Sequence, residues 1–174
     1  MTSTRSLAHL APGLVLAAGL LAGACANGTT HPNETQPPPG VTVLATDPIE
    51  EVARGTYTGI EDRRRVVIRT QADWEAFWNE LTRTISPPEP APAIDFSRRM
   101  VIAAAMGTRS SGGFTIDIVS VRARDMIAVE VLETSPGPSC AVTMALTAPV
   151  TAVSVERRDG QVNFIERAET RDCR

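Results

Sequence analysis

The chain has 174 residues, 43% of them hydrophobic, with 17 basic against 20 acidic side chains and a formal net charge of −3. That is enough for one domain plus appendages, and its single basic cluster, Arg63, Arg64 and Arg65, is too short for a nucleic-acid footprint. Every basic residue is arginine, and both histidines, His9 and His31, precede the domain placed below. Lysine nucleophiles, histidine triads and histidine-ligated metals are therefore excluded from it, and no cofactor or metal is expected.

Residues 1–24 read as an export signal: Arg5 in a positive n-region, an apolar run over 10–21, then small residues. The run is too short for a permanent membrane span. Its end, Leu21-Ala22-Gly23-Ala24-Cys25, resembles a bacterial lipobox, which implies a diacylglycerol on Cys25 and Cys25 as the mature N-terminus. Ala22-Gly23-Ala24 also satisfies ordinary signal peptidase, so plain secretion is the alternative. Ala26 follows Cys25, and by resemblance to lipoprotein sorting nothing holds the protein at an inner membrane. The expected location is the cell envelope, facing outward from the outer membrane if the cell has one. Residues 25–49 form a polar, proline-rich tether with an apolar island at 41–45 that can add an edge strand. If lipidated, such a tether holds the domain on the order of 30 Å or more from the membrane by chain statistics.

The domain occupies residues 50–174. Residues 55–60 and 65–69 alternate as strands, and Glu61-Asp62 between them predicts a hairpin. Thr70 with Asp73 resembles a capping box. Trp74, Phe77, Trp78 and Leu81 then fall at i, i+3, i+4 and i+7, which predicts an amphipathic helix. An aromatic stripe of this kind is either a carbohydrate or lipid platform or a core face, and core packing is the reading adopted. Four prolines between 84 and 93 make a crossing loop. The uncharged run 100–106 predicts a strand buried on both faces. After the loop 107–113, Phe114, Ile116, Ile118 and either Ser120 or Val121 continue a half-buried strand, and 126–132 pairs back on it. Residues 141–146 are ambiguous between helical turn and strand. Residues 150–156 and 161–167 predict a final hairpin around Asp159-Gly160. The sum is an α+β domain: an antiparallel sheet of about six strands with one helix packed on a face.

With Cys25 assigned to the leader, Cys140 and Cys173 remain in an exported domain. A disulfide between them is expected, closing a loop of about 30 residues and contributing about 3 kcal/mol. A reactive Cys140 thiol is the alternative, but no His or Lys is available to lower its pKa.

Trp74-x-x-Phe77-Trp78, Asp95-Phe96-Ser97 before Met100-Val101-Ile102, Met106-Gly107-Thr108-Arg109-Ser110-Ser111-Gly112-Gly113-Phe114, Pro136-Gly137-Pro138-Ser139-Cys140 and Leu146-Thr147-x-Pro149 occur in that order. Over about residues 55–157 this set resembles the PrcB C-terminal domain family. The family is named for a lipoprotein subunit of a surface protease complex, an accessory partner and not the protease. The resemblance implies a noncatalytic role beside an exported protease.

The loop 107–113 lacks the Walker lysine and the GxGxxG spacing, so a phosphate cradle is a weak reading. Its glycines suit a tight connection. Arg109, Ser110 and Ser111 are donors suited to gripping a partner's carboxylate or backbone, with Gly112 and Gly113 beside them. If Pro136, Gly137, Pro138 and Cys140 lie alongside, two stiff loops make one recognition surface. Asp95, Asp117, Glu130 and Glu133 are the carboxylates that a hydrolase could use, but acidic residues on strands and turns are usually solvated faces. No catalytic residue is assigned. A noncatalytic binding module for an exported protease is the leading expectation. A structural envelope lipoprotein without a protease partner is the alternative, and neither the residues nor their spacing separates the two or sets an oligomeric state.

Overall fold

The computed structural model describes residues 46–124 and 126–173. The leader, Cys25, the tether up to 45 and the turn residue Asp125 lie outside the described residues. Eight elements follow in order: β1 (Glu50–Gly55), β2 (Arg63–Ile68), α1 (Gln71–Leu81), β3 (Arg99–Met106), β4 (Thr115–Ala123), β5 (Ile127–Pro136), β6 (Val150–Glu156) and β7 (Val162–Arg171). They form two sheets instead of one. The first has the order β1-β6-β3-β2 and the second β4-β5-β7. All pairings are antiparallel except β5 with β7, which is parallel.

The reason lies in β3, RMVIAAAM, which is apolar on both faces and needs a cover on each. Val101, Ala103 and Ala105 pack against Trp74, Phe77 and Leu81 of α1, where small side chains leave room for the indole. Met100, Ile102, Ala104 and Met106 pack on the other side against Ile116 and Ile118 of β4 and Val129 and Val131 of β5. One eleven-residue helix covers only one face; the second sheet covers the other.

The helix forms as its pattern predicts. Thr70 caps it, its hydroxyl accepting from Asp73 N at 3.2 Å and donating to the Asp73 carboxylate at 2.6 Å. The proline loop lies over the aromatic stripe: Trp74 Nε1 donates to Pro92 O at 2.9 Å and Trp78 Nε1 to Glu89 O at 2.8 Å. The stripe is therefore core and not a ligand platform.

Both outer hairpins are corrections. β1 and β2 sit at opposite edges of their sheet, separated by β6 and β3. β6 has both edges occupied, by β1 and β3, so no edge is left for β7. Residues 157–161 instead cross to the second sheet. Arg157 anchors the crossing, donating from Nη1 to Phe96 O at 2.7 Å and to Arg69 O at 2.9 Å. The β4–β5 hairpin forms as expected. A register shift between Ile118 and Ser120 turns Val119 outward, so Ser120 and Val121 are both buried. That bulge explains the broken alternation at these two positions. Residues 141–146 are neither helix nor strand.

Candidate functional site

β3 ends at Met106, and the chain turns at Gly107, whose φ of +74° is open to glycine. The following residues are stitched to two other loops. Thr108 N donates to Glu61 O at 2.9 Å. Arg109 and Thr147 exchange backbone hydrogen bonds, 2.7 Å in one direction and 3.0 Å in the other. Gly112 N donates to Thr143 O at 2.9 Å. Gly113 has φ +87°, and a Cβ there would sit 2.8 Å from Val142 Cγ1 and 3.0 Å from Pro136 Cβ. Gly113 thus meets Pro136 at the start of the second loop singled out in the sequence, while the hydrogen bonds of 108–112 run to Glu61 and, beyond that loop, to Thr143 and Thr147.

The second loop is held from below. Gly137 N donates to Arg171 O at 2.9 Å at the end of β7. Cys140 and Cys173 are joined in a disulfide with Cα atoms 4.8 Å apart. A third loop, 56–62, completes the assembly through Ala148 N to Thr56 O at 2.8 Å and Thr58 Oγ1 to Ala148 O at 2.7 Å.

Large apolar side chains stand on this platform beside the donors read in the sequence. The Arg109 guanidinium lies 3.8 Å from Glu133, too long for a hydrogen bond, and over the Phe114 ring at 5.8 Å. Ser111 Oγ donates to Gly112 O at 3.2 Å, and Ser111 O accepts from Thr147 Oγ1 at 2.8 Å. Ser110 and Pro138 are exposed, Gly112 and Gly137 buried. The large exposed side chains are apolar. Met144 is 91% exposed, Leu146 71% and Tyr57 58%. Tyr57, Leu146 and Ala148, with Thr58, Glu61, Thr84, Thr108 and Thr147, line an open groove of about 330 Å³. Sequence periodicity missed Met144 and Leu146, because a single apolar residue in a loop has no neighbours to reveal its direction. The available hint was the absence of any charge from 134 to 155.

Under the platform, arginines bridge the two sheets. Arg65, only 10% exposed, donates from Nη2 to Glu133 at 2.6 Å and to Glu166 at 2.7 Å. Arg63 reaches the same two carboxylates, at 3.0 and 2.9 Å. Arg64, on the opposite face of β2, pairs with Glu80 and lies over Phe77. The three arginines of the basic cluster are thus engaged within the molecule.

The four candidate carboxylates are not brought together. Asp95 accepts from Ser97 in a turn, and this bond holds its carboxyl below the usual range. Asp117 pairs with Arg54 at 2.8 Å. Glu130 and Glu133 are three apart on β5 and so project to opposite faces. Arg167, and after it Ser120, hold Glu130 below the ordinary carboxylate range, opposite to what a general acid needs. A cleft of about 660 Å³ lies at the far end of β3 among Asp95, Arg98, Arg99, Glu156, Arg157 and Asp159. Its charges are mixed, Arg157 pairing with Asp159 at 3.6 Å and Arg99 bonding Ser154 Oγ at 2.6 Å. Among the described residues no group of three His, Cys, Asp or Glu could hold a metal.

The stretch from β3 to the end of β6 carries the loops at 107–113 and 136–140. Residues 100–156 match the family described as PrcB C-terminal. No curated protein and no solved structure matches the chain. The PrcB C-terminal match bears out the resemblance read from the motifs, over a shorter span than 55–157. The tryptophan motif on α1 and Asp95-Phe96-Ser97 precede the matched span.

Proposed function

We propose that this protein is a noncatalytic accessory subunit of an exported protease complex, held in the cell envelope by a lipid on Cys25. The observation that carries this reading is the overlap of the PrcB C-terminal match with the platform: residues 100–156 contain both loops. Among them are the exposed side chains of Met144 and Leu146, in a stretch without charge. An uncharged, pre-ordered loop surface suits protein recognition, since little entropy is lost on binding. Aromatic and Met side chains are enriched in such interfaces. The carboxylates are dispersed and engaged by arginine or a turn, which supports a binding role over hydrolysis. Tyr57, Met144 and Leu146 make the contact, Ser110 and Pro138 flank it, and Arg109 and the disulfide hold its shape.

The test is crosslinking of the full chain in its own envelope, followed by capture and mass spectrometry of both the adduct and the mature N-terminus. Recovery of an exported protease with the wild type but not with Leu146→Asp supports the reading. Recovery of only peptidoglycan or structural outer-membrane proteins replaces it with the structural-lipoprotein reading. An unmodified N-terminus at Cys25 removes the lipid anchor.

A further inference from the structure

Four strands stand at sheet edges, and three of them are unsuited to pairing with another chain. β1 and β4 each carry a register shift, between Glu51 and Ala53 and between Ile118 and Ser120, and bulges twist an edge away from a flat partner. β2 is six residues long and begins with Arg63-Arg64-Arg65, which clamp Glu133, Glu166 and Glu80, and charged side chains on a short edge blunt strand addition. β7 differs. It pairs with β5 in unbroken register over ten residues from Val162 to Arg171, contains no proline, and is exposed along most of its length. Among the described residues no strand pairs with its outer edge, so every second residue turns its N–H and C=O outward.

The charges of β7 select the partner. Glu166, Arg167, Glu169 and Arg171 sum to zero, so a second copy is not repelled overall. Antiparallel strands place facing residues on the same side of the sheet, so two symmetric copies meet with a single residue type on the two-fold axis. Centring on Arg167 or Glu169 sets that residue against its own copy, and centring on Glu166 does the same. Centring on Ala168 sets Arg167 opposite Glu169 twice, Glu166 opposite Thr170 twice, and Ile165 opposite Arg171.

We propose that two copies of this chain pair through antiparallel β7 strands, with Ala168 facing Ala168, joining two three-stranded sheets into one of six strands. The interface is separate from the loop platform and does not depend on the protease reading. A cysteine at the two-fold axis faces its own copy within disulfide reach, where opposed Cα atoms lie about 4.5–5.5 Å apart. Ile165 lies about 20 Å from its counterpart in this register, from the rise per residue.

The experiment uses the full chain in the membranes of an exporting host, with single cysteines added and oxidative crosslinking read on non-reducing gels. Ala168→Cys is expected to give a dimer band and Ile165→Cys none. Adding Arg167→Glu to Ala168→Cys opposes two acidic residues and is expected to cut the crosslink yield roughly tenfold. Adding Glu169→Arg to that variant restores opposite charges and the yield, although the pairing of Arg167 with Glu130 inside the chain stays lost. A dimer band of equal strength for Ile165→Cys, absence of any Ala168→Cys dimer, or a yield that ignores the charge swap each overturns the proposal.

Discussion

Thr147 is bonded to the opposite loop by side chain and backbone at once. Its hydroxyl donates to Ser111 O at 2.8 Å, while its N–H and C=O pair with Arg109. Thr147 is 2% exposed, so the bond sits out of water. Thr147→Val keeps the shape and removes the donor, leaving Ser111 O without it. The expected cost is about 1–2 kcal/mol in urea unfolding, with hydrogen exchange rising first in residues 108–113.

The disulfide ties the same loop to the end of β7. Replacing Cys140 and Cys173 together by serine is expected to cost about 3–4 kcal/mol in the chain-entropy account, for a separation of 33 residues. Proteolysis should then begin within 137–146. Resistance there equal to wild type would show that the hydrogen bonds from Gly137 and Gly112 suffice.

Gly113 meets two constraints, a positive φ and the side chains of Val142 and Pro136. Gly113→Ala is expected to destabilise by about 1–3 kcal/mol and to separate the loops. Gly160, where an added Cβ meets nothing nearer than 3.9 Å, is the control, and Gly160→Ala should stay within about 0.5 kcal/mol.

The Glu166 carboxyl is held below its ordinary value of 4.5, chiefly by the hydrogen bond from Arg65, against partial burial, with the charges of Arg65 and Arg63 adding. The ionised form is favoured in the fold, so the unfolded chain takes up the proton first as acid is added. The contribution is present above pH 4.5 and is lost as pH falls through the depressed folded value. Denaturation midpoints measured from pH 7 to 3 should fall below about pH 4.5. Glu166→Gln should lower the midpoint at pH 7 and flatten that acid limb.

Leu146→Asp is expected to leave the unfolding midpoint within about 0.5 kcal/mol, because a side chain 71% exposed contributes little to the core. If its stability falls by several kcal/mol, Leu146 is a packing residue and not a surface contact.

The amino-acid sequence by itself determined the local facts. Spacing of Trp74, Phe77 and Leu81 sets a helix and its buried face, and the uncharged 100–106 run sets a strand covered on both sides, because side-chain periodicity is a property of neighbours in the chain. The order of motifs carried the resemblance to the PrcB C-terminal family, whose match covers residues 100–156. Tertiary structure decided which edges meet. Asp159-Gly160 is a turn signal of short range, and it could not show that β6 had both edges taken, nor that β7 would lie parallel to β5. Met144 and Leu146 stand outward in a loop whose Thr143 and Thr147 bond Gly112 and Arg109. Such pairings join residues distant along the chain, where hydrogen-bond geometry and packing, and not local propensity, select the arrangement.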